Sequence, residues 1–232
     1  VNLGANTLTI GDATNGTFGG SVGGTGGLIK EGTGTQTLTG TNTFTGGTTI
    51  NAGTLAIGAG GSLAATGAVT LANAGTAFDI SAGGNQSIGS LAGVTGSNVS
   101  LGGNTLTLGG VGNTAFNGVI GGTGALIKDG AGVQTLGGAN TFTGGVTLNA
   151  GGLVVGNNAA LGSGALTVAG NGSLDANAAV TLANNVALGA GANLDVLGSN
   201  ALTLAGAISG AGGLIKDGPA TLTLTGASSY TG

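Results

Sequence analysis

Residues 23–53 read GGTGGLIKEGTGTQTLTGTNTFTGGTTINAG, and residues 121–151 repeat this stretch as GGTGALIKDGAGVQTLGGANTFTGGVTLNAG. Both belong to a longer ungapped match: residues 1–58 align with residues 99–156 at an offset of 98, with 36 of 58 positions identical. A third, shorter copy, GAGGLIKDGPATLTLTGASSYTG, occupies residues 210–232. Self-similarity over this length is typical of repeat architectures, in which each unit buries its apolar face against the next. The sequence therefore predicts a rod or array rather than a globular enzyme.

The composition excludes several other classes of protein. The 232 residues include 57 glycines and are 40% hydrophobic but only 4% charged, whereas disordered chains are polar and charged. A single proline and the lack of a three-residue glycine period exclude collagen. The net charge is −4, and the three cations, Lys30, Lys128 and Lys216, stand far apart, which argues against binding to nucleic acid or to an anionic membrane surface. No apolar run approaches the roughly 20 residues that span a bilayer, so this segment is not expected to insert into a membrane.

Short segments with a period of two predict half-buried β-strands between glycine- and asparagine-rich corners. Too few bulky residues are present to fill a sandwich, whereas a stack of parallel coils needs only a narrow core of Leu, Ile and Val. The prediction is an all-β solenoid with about 11 or 12 coils of roughly 20 residues and a rod near 55 Å long. The strand segments are Asn6–Ile10, Gln36–Thr39, Thr54–Gly58, Ala68–Asn73, Asn104–Leu108, Ala165–Ala169, Ala179–Asn184, Asn200–Ala205 and Ala220–Thr225.

The repeated block follows the pattern G-x-L-x-K-x-G-x-G-x-x-x-L-x-G-x-N-T-[FY]-x-G, then T-x-[IL]-x-x-G-x-L-x-[IV]-G. This pattern resembles the autotransporter-associated β-strand repeat of the exported passenger regions of Gram-negative autotransporters. The resemblance implies a right-handed parallel β-helix, located outside the cell or on the outer-membrane surface. The third copy departs from the pattern at Pro219 and at Ser228-Ser229. In the first copy the pattern falls on Gly26, Leu28, Lys30, Gly32, Gly34, Leu38, Gly40, Asn42, Thr43, Phe44, Gly46, Thr48, Ile50, Gly53, Leu55, Ile57 and Gly58.

Residues 1–232 are interpreted as one solenoid segment of a longer repeat protein, with internal repeats at 1–98, 99–194 and, in part, 195–232. The offset between the second and third copies falls from 96 at Asn104 to 88 at Lys128, so eight residues around 111–118 have no counterpart in the third copy. A loop that protrudes from a coil is the easiest place for such a deletion.

The chain offers little for catalysis, because His, Cys and Arg are absent. Asp175 and Asp195 stand 20 residues apart and could stack on neighbouring coils as a carboxylate pair, yet a solvated rim is the preferred interpretation. Residues 189–195 only loosely match a calcium-binding β-roll motif. The sequence therefore predicts no catalytic, cofactor-binding or metal-binding residues and no enzyme activity. The acids are Asp12, Glu31, Asp79, Asp129, Asp175, Asp195 and Asp217.

Three further patterns have both a functional and a structural interpretation. The Lys-acid dipeptide that recurs in each copy could be a docking charge, but protection of a strand or corner against edge pairing is favoured. Paired threonines such as Thr37/Thr39 could form an ice-binding face, but 157–200 contains no such pair, so ordinary β-propensity is favoured. Glycosylation sequons begin at Asn15, Asn85, Asn98 and Asn171 and are a weak compositional match.

Three functions remain open at this point. The first is a non-enzymatic extracellular β-helix that forms fibres, matrix or cell-cell contacts, with other copies of itself, stacked end to end or laterally, or the rest of a longer chain as its partner. The second is an adhesin passenger that binds a specific ligand on a host or neighbouring cell. The third and weakest is a carbohydrate-active enzyme that uses Asp175 or Asp195.

Overall fold

The computed structural model describes all 232 residues and consists of 27 short strands, numbered here in chain order, without a helix that could cross a membrane. Each strand is three to five residues long, and each pair of neighbouring strands is parallel. The strands stack in a solenoid of about 11 turns, which confirms the predicted fold class. All nine strand segments expected from the sequence contain a strand.

The solenoid has three faces, and the chain visits them in the order 1, 2, 3. Face 1 is the eleven-stranded sheet of β1 (Leu8–Ile10), β3 (Leu28–Lys30), β5 (Thr48–Ile50), β7 (Ala68–Leu71), β10 (Ser90–Gly93), β13 (Thr114–Phe116), β16 (Val133–Leu136), β18 (Gly152–Val155), β20 (Gly172–Ala176), β23 (Asn193–Val196) and β26 (Gly213–Lys216).

Face 2 begins with a six-stranded sheet and ends with a three-stranded one. The first comprises β2 (Gly16–Phe18), β4 (Thr35–Leu38), β6 (Thr54–Ile57), β8 (Ala77–Asp79), β11 (Asn98–Ser100) and β14 (Val119–Gly121), and the second β21 (Val180–Leu182), β24 (Leu202–Leu204) and β27 (Leu222–Leu224). Two coils without regular strands join them, where Thr141 N–H donates to Ile120 O (2.9 Å) and Ser163 N–H donates to Phe142 O (3.1 Å).

Face 3 is irregular in the first coils, with isolated bridges Asn2–Gly23 and Thr41–Ser62. It then becomes a seven-stranded sheet of β9 (Gln86–Ile88), β12 (Leu106–Leu108), β15 (Leu126–Lys128), β17 (Val146–Leu148), β19 (Leu166–Val168), β22 (Val186–Leu188) and β25 (Ile208–Gly210).

A single narrow core runs along the axis. Alternate residues of each strand point inward, and 44 buried hydrophobic residues form one continuous cluster. Most are Leu, Ile and Val, as the sequence predicts, and four of the five phenylalanines, at positions 44, 78, 116 and 142, are also buried there. Because each coil stacks in parallel register on the coil before it, the outward residues of a face form straight columns along the rod.

The first two repeat copies occupy different faces. The Leu-Ile-Lys strand of copy one is β3 on face 1, whereas its counterpart in copy two is β15 on face 3. The register accounts for this: neighbouring coils of face 1 are offset by 19 to 23 residues, so the 98-residue offset corresponds to four complete coils and two further faces. Copy two therefore starts two faces further along the coil than copy one, which is the same as one face back.

The Leu-Ile-Lys strand of the third copy, β26, lies on face 1, as the corresponding strand of the first copy does. The eight-residue deletion accounts for this placement. The sequence-based expectation that residues 111–118 form a protruding loop was wrong, since they contain β13, and Phe116 is fully buried in the core. Eight residues correspond to about one face of a coil, so their deletion removes one whole strand. The strands that follow are shifted by one face, and the coils continue to stack in parallel.

Candidate functional site

Two of the three recurring lysines, Lys30 and Lys128, bind backbone carbonyls inside a corner of the coil and are not surface charges. Lys30 is 0% exposed, and its Nζ donates to three backbone carbonyls: Glu31 O (2.6 Å), Gly32 O (2.8 Å) and Ala52 O (3.1 Å). Lys128 is 3% exposed and donates to the equivalent carbonyls of Gly130 and Ala150. Both earlier interpretations, docking and edge protection, are wrong for these two residues, because their ammonium groups do not reach the surface.

Burial lowers the pKa of Lys30, while the charges of Glu31 and Asp12 act in the opposite direction. Burial likewise lowers the pKa of Lys128, opposed by Asp129. Lys216, in the last coil, makes the same kind of contact, with Nζ donating to Gly218 O (2.7 Å), but it is exposed because no coil covers it. Two of the three cations are thus inside the rod, and its sides carry almost only negative charge.

The corner glycines belong to the same arrangement. Gly53 and its counterpart Gly151 have φ of +63° and +73°, a backbone conformation that favours glycine. A Cβ on Gly53 would lie 2.5 Å from Gly34 O, and one on Gly151 would lie 2.8 Å from Lys128 Nζ. The corner therefore needs glycine both for its backbone conformation and for the space that the lysine occupies.

Asparagines connect successive coils through the backbone. Asn42 is 1% exposed; its Oδ1 accepts from Val22 N–H (3.0 Å), and its Nδ2 donates to Ser62 O (2.9 Å), so one side chain joins three coils. Asn140 occupies the equivalent position in copy two, between Ile120 N–H (2.8 Å) and Ala160 O (2.6 Å). No non-glycine residue has positive φ, so asparagine stabilises these corners through the hydrogen bonds of its side chain and not through a left-handed backbone conformation.

Most of the sequons have the same structural explanation. Asn15, Asn85 and Asn171 each accept, through Oδ1, the N–H of a residue in the next coil at 2.8 to 2.9 Å. Asn98 is exposed on β11. The paired threonines are dispersed in a comparable way, with Thr37 on face 2, Thr107 on face 3 and Thr9 on face 1. They form no single flat array, which agrees with the interpretation that they serve as ordinary strand residues.

The seven carboxylates do not form a cluster, and no group of three acidic or other metal-ligating residues converges anywhere in the chain. Asp195 lies beside Ser173 in the parallel register, not beside Asp175, so the two aspartates do not stack as a pair. Asp175 is engaged instead by Ser199, whose N–H and hydroxyl donate to its two oxygens at 2.9 and 2.5 Å. Burial alone would raise the pKa of Asp175, but the hydrogen bonds from Ser199 and the Ala176 N–H prevail and lower it.

Both ends of the described solenoid expose the edges of a coil. At the first coil, the core opens into a cavity of about 380 Å³ lined mainly by apolar side chains, including Leu8, Ile10 and Phe18. At the last coil, the inward-facing Leu224 is 40% exposed, because no further strand lies on β27. Core side chains and unpaired backbone groups are therefore accessible at either end.

Three segments of the chain are similar to a known family of repeats. Residues 28–57, 126–155 and 214–232 each match the model of the passenger-associated-transport-repeat. The matched segments begin at β3, β15 and β26, the three Leu-Ile-Lys strands, so the repeat is the same structural unit in each copy although its face differs. No curated protein and no solved structure matches the chain.

Proposed function

We propose that the chain, three segments of which match the passenger-associated-transport-repeat, is an exported, non-enzymatic structural segment on the outer-membrane surface or outside the cell. Its role in this proposal is to build fibres, matrix or cell-cell contacts. The observation that carries the proposal is the match of residues 28–57, 126–155 and 214–232 to the passenger-associated-transport-repeat. The first and last described coils, with Leu8, Ile10 and Phe18 at one and Leu224 at the other, present apolar core atoms and strand edges to whichever coil lies next. Apolar area and strand edges of this kind are stabilised when another coil covers them.

The covering coil can come from the same polypeptide or from a second copy of it. A parallel coil laid on β26 and β27 would extend faces 1 and 2 with the hydrogen-bonding pattern already present between β23 and β26. Such contacts join one end to the opposite end and do not close, so copies in solution would form a linear filament. The dispersed acids and buried lysines support a structural role over a catalytic one.

Electron microscopy of the purified chain over a range of concentrations tests this proposal. We expect filaments with an axial repeat near 4.8 Å that lengthen with concentration, built from units about 50 Å long. Leu224→Lys places a charge in the exposed end of the core and should leave isolated rods. Val111→Lys is the matched control, because Val111 is already 83% exposed. Isolated rods of the wild-type chain at every concentration would refute stacking between copies.

The second candidate is an adhesin passenger that binds a discrete ligand on the side of the rod. An unpaired carboxylate oxygen in a lateral groove on face 1 favours this alternative. Saturable binding by isolated rods would support it, whereas filament formation without a ligand would support the first.

A further inference from the structure

A polar groove of about 360 Å³ lies on the outer side of face 1, across β20, β23 and β26. Asn171, Ser173, Asn193 and Asp195 line it with amide, hydroxyl and carboxylate groups, and Gly172 lies among them. Ile215 supplies its one hydrophobic side chain. The groove therefore differs from the cavity at the first coil, which is the apolar end of the core.

Asp195 is distinguished from the other carboxylates by its lack of a partner. Each of the other six acids accepts at least one hydrogen bond; the donors are Thr14, Asn51, Ser81, Asn149, Ser199 and Gly218. Asp195 Oδ1 is shielded from solvent by the protein, yet no group of the chain donates to it. In the register, its neighbours are Ser173 and Ile215, and the Ile215 side chain has no donor. A shielded carboxylate oxygen without a donor is costly, which marks a position where an external group is expected.

We propose that this groove binds a neutral hexose residue of a glycan. A sugar hydroxyl can donate to the Asp195 carboxylate, whose rotation about χ2 turns the shielded Oδ1 toward the groove, and the amide groups of Asn171 and Asn193 can donate to or accept from further hydroxyls. The volume of about 360 Å³ lies at the lower end of the range for small-ligand sites.

The lining disfavours other classes of ligand. An anionic ligand would meet a carboxylate and no cation, because the groove contains neither lysine nor arginine. A lipid or an apolar peptide would find only Ile215 to pack against. A divalent cation prefers several carboxylate or carbonyl ligands, and Asp195 is the one acid in the groove. The groove faces sideways on the rod, so binding there does not depend on whether copies stack end to end.

Two-dimensional ¹H–¹⁵N NMR of the labelled Leu224→Lys chain, which should stay as isolated rods, tests the proposal, with the methyl glycosides of glucose, galactose and mannose as probes. We expect at least one of them to shift the amide signals of residues 171–173 and 193–195 in a saturable manner, with a dissociation constant of about 1 mM because few contacts are made. Asp195→Asn keeps the shape of the side chain but removes the charge, and affinity should fall at least about tenfold. Ser173→Leu, which fills the groove at an outward strand position, should abolish the shifts.

Asp79→Asn is the matched control, since it makes the same change of charge on face 2 and keeps the oxygen that accepts from Ser81 N–H (2.8 Å). Its affinity should equal that of the wild type. Three results would overturn the proposal: no shifts with any glycoside, which leaves only water in the groove; shifts with calcium chloride alone, which makes it a cation site; or undiminished binding by Asp195→Asn. None of these results bears on filament formation, which is measured separately by microscopy.

Discussion

Replacement of Lys30 by methionine tests directly whether the hydrogen bonds of its ammonium group stabilise the corner of the coil. Methionine keeps an unbranched apolar stem in the corner but leaves the carbonyls of Glu31, Gly32 and Ala52 without the ammonium group that now lies 2.6 to 3.1 Å away. Hydrogen bonds to a charged group contribute about 1.5–3 kcal/mol each, and the desolvation cost of the ammonium offsets part of their sum. We therefore expect the free energy of unfolding to fall by about 3–5 kcal/mol.

The assay is urea unfolding followed by circular dichroism, with hydrogen exchange at Asn51, whose N–H donates to Lys30 O (2.9 Å), as a local probe. With an m-value of about 2–3 kcal/mol/M, the midpoint should move by about 1–2 M. Lys216→Met is the matched control, because the same motif is exposed in the last coil and water can replace the lost contacts. Its effect should stay below about 0.5 kcal/mol.

The difference between the two variants carries the argument, since both remove one ammonium group from the same motif. If Lys30→Met unfolds at the midpoint of the wild type, or if it matches Lys216→Met, the buried carbonyls do not need the lysine. The proposed role of this residue in the corner would then be refuted.

Three further changes test other contacts. Gly124→Ala should lower the free energy of unfolding by at least about 2 kcal/mol, because the new Cβ would lie 1.9 Å from the backbone of the preceding coil. Gly112→Ala is its control: a Cβ there meets open space, so this variant should unfold thermally like the wild type. Asn140→Ala removes a buried bridge between coils and should cost about 2–4 kcal/mol, while Asn98→Ala, exposed on β11, should change the melting temperature little. The hydrogen bonds to Asp175 lower its pKa in the folded state below the ordinary value of 3.8, so the ionised carboxylate stabilises the fold above that pH, and this stabilisation is lost as the pH falls through the folded pKa. In an acid titration, the wild type should be more stable than Asp175→Asn above this range and should lose that difference within it. A difference in stability that does not change with pH would contradict this assignment.

The strands and the fold class could be predicted because their signals are local. The alternation in segments such as Asn6–Ile10 places Thr and apolar residues on opposite sides of a strand, and the glycines between them end each strand. The inward position of Lys30 was also encoded, since Leu28 and Lys30 share the same side of a three-residue strand. It was missed because lysine is rarely buried, and only the ring of corner carbonyls, contributed by two successive coils, makes its burial favourable.

The groove could not have been predicted in this way. Nothing in the sequence separates Asp195 from Asp175, and their spacing of 20 residues even suggested that they stack. The register places Ser173 beside Asp195, whereas Ser199 donates hydrogen bonds to Asp175 and not to Asp195. Which carboxylate is left unpaired depends on the neighbours across coils, which vary with coil lengths of 19 to 23 residues.

The local patterns of the sequence were enough to predict a parallel β-solenoid, three segments of which match the passenger repeat, because period-two strands, glycine corners and a long internal repeat leave few other ways to bury its apolar residues. The face that each copy occupies, the charges that lie inside the rod and the position of the polar groove depend instead on contacts between coils. These contacts differ between copies because the repeat length is not a whole number of coils: an offset of 98 residues ends two faces beyond four coils, so identical strands acquire different neighbours.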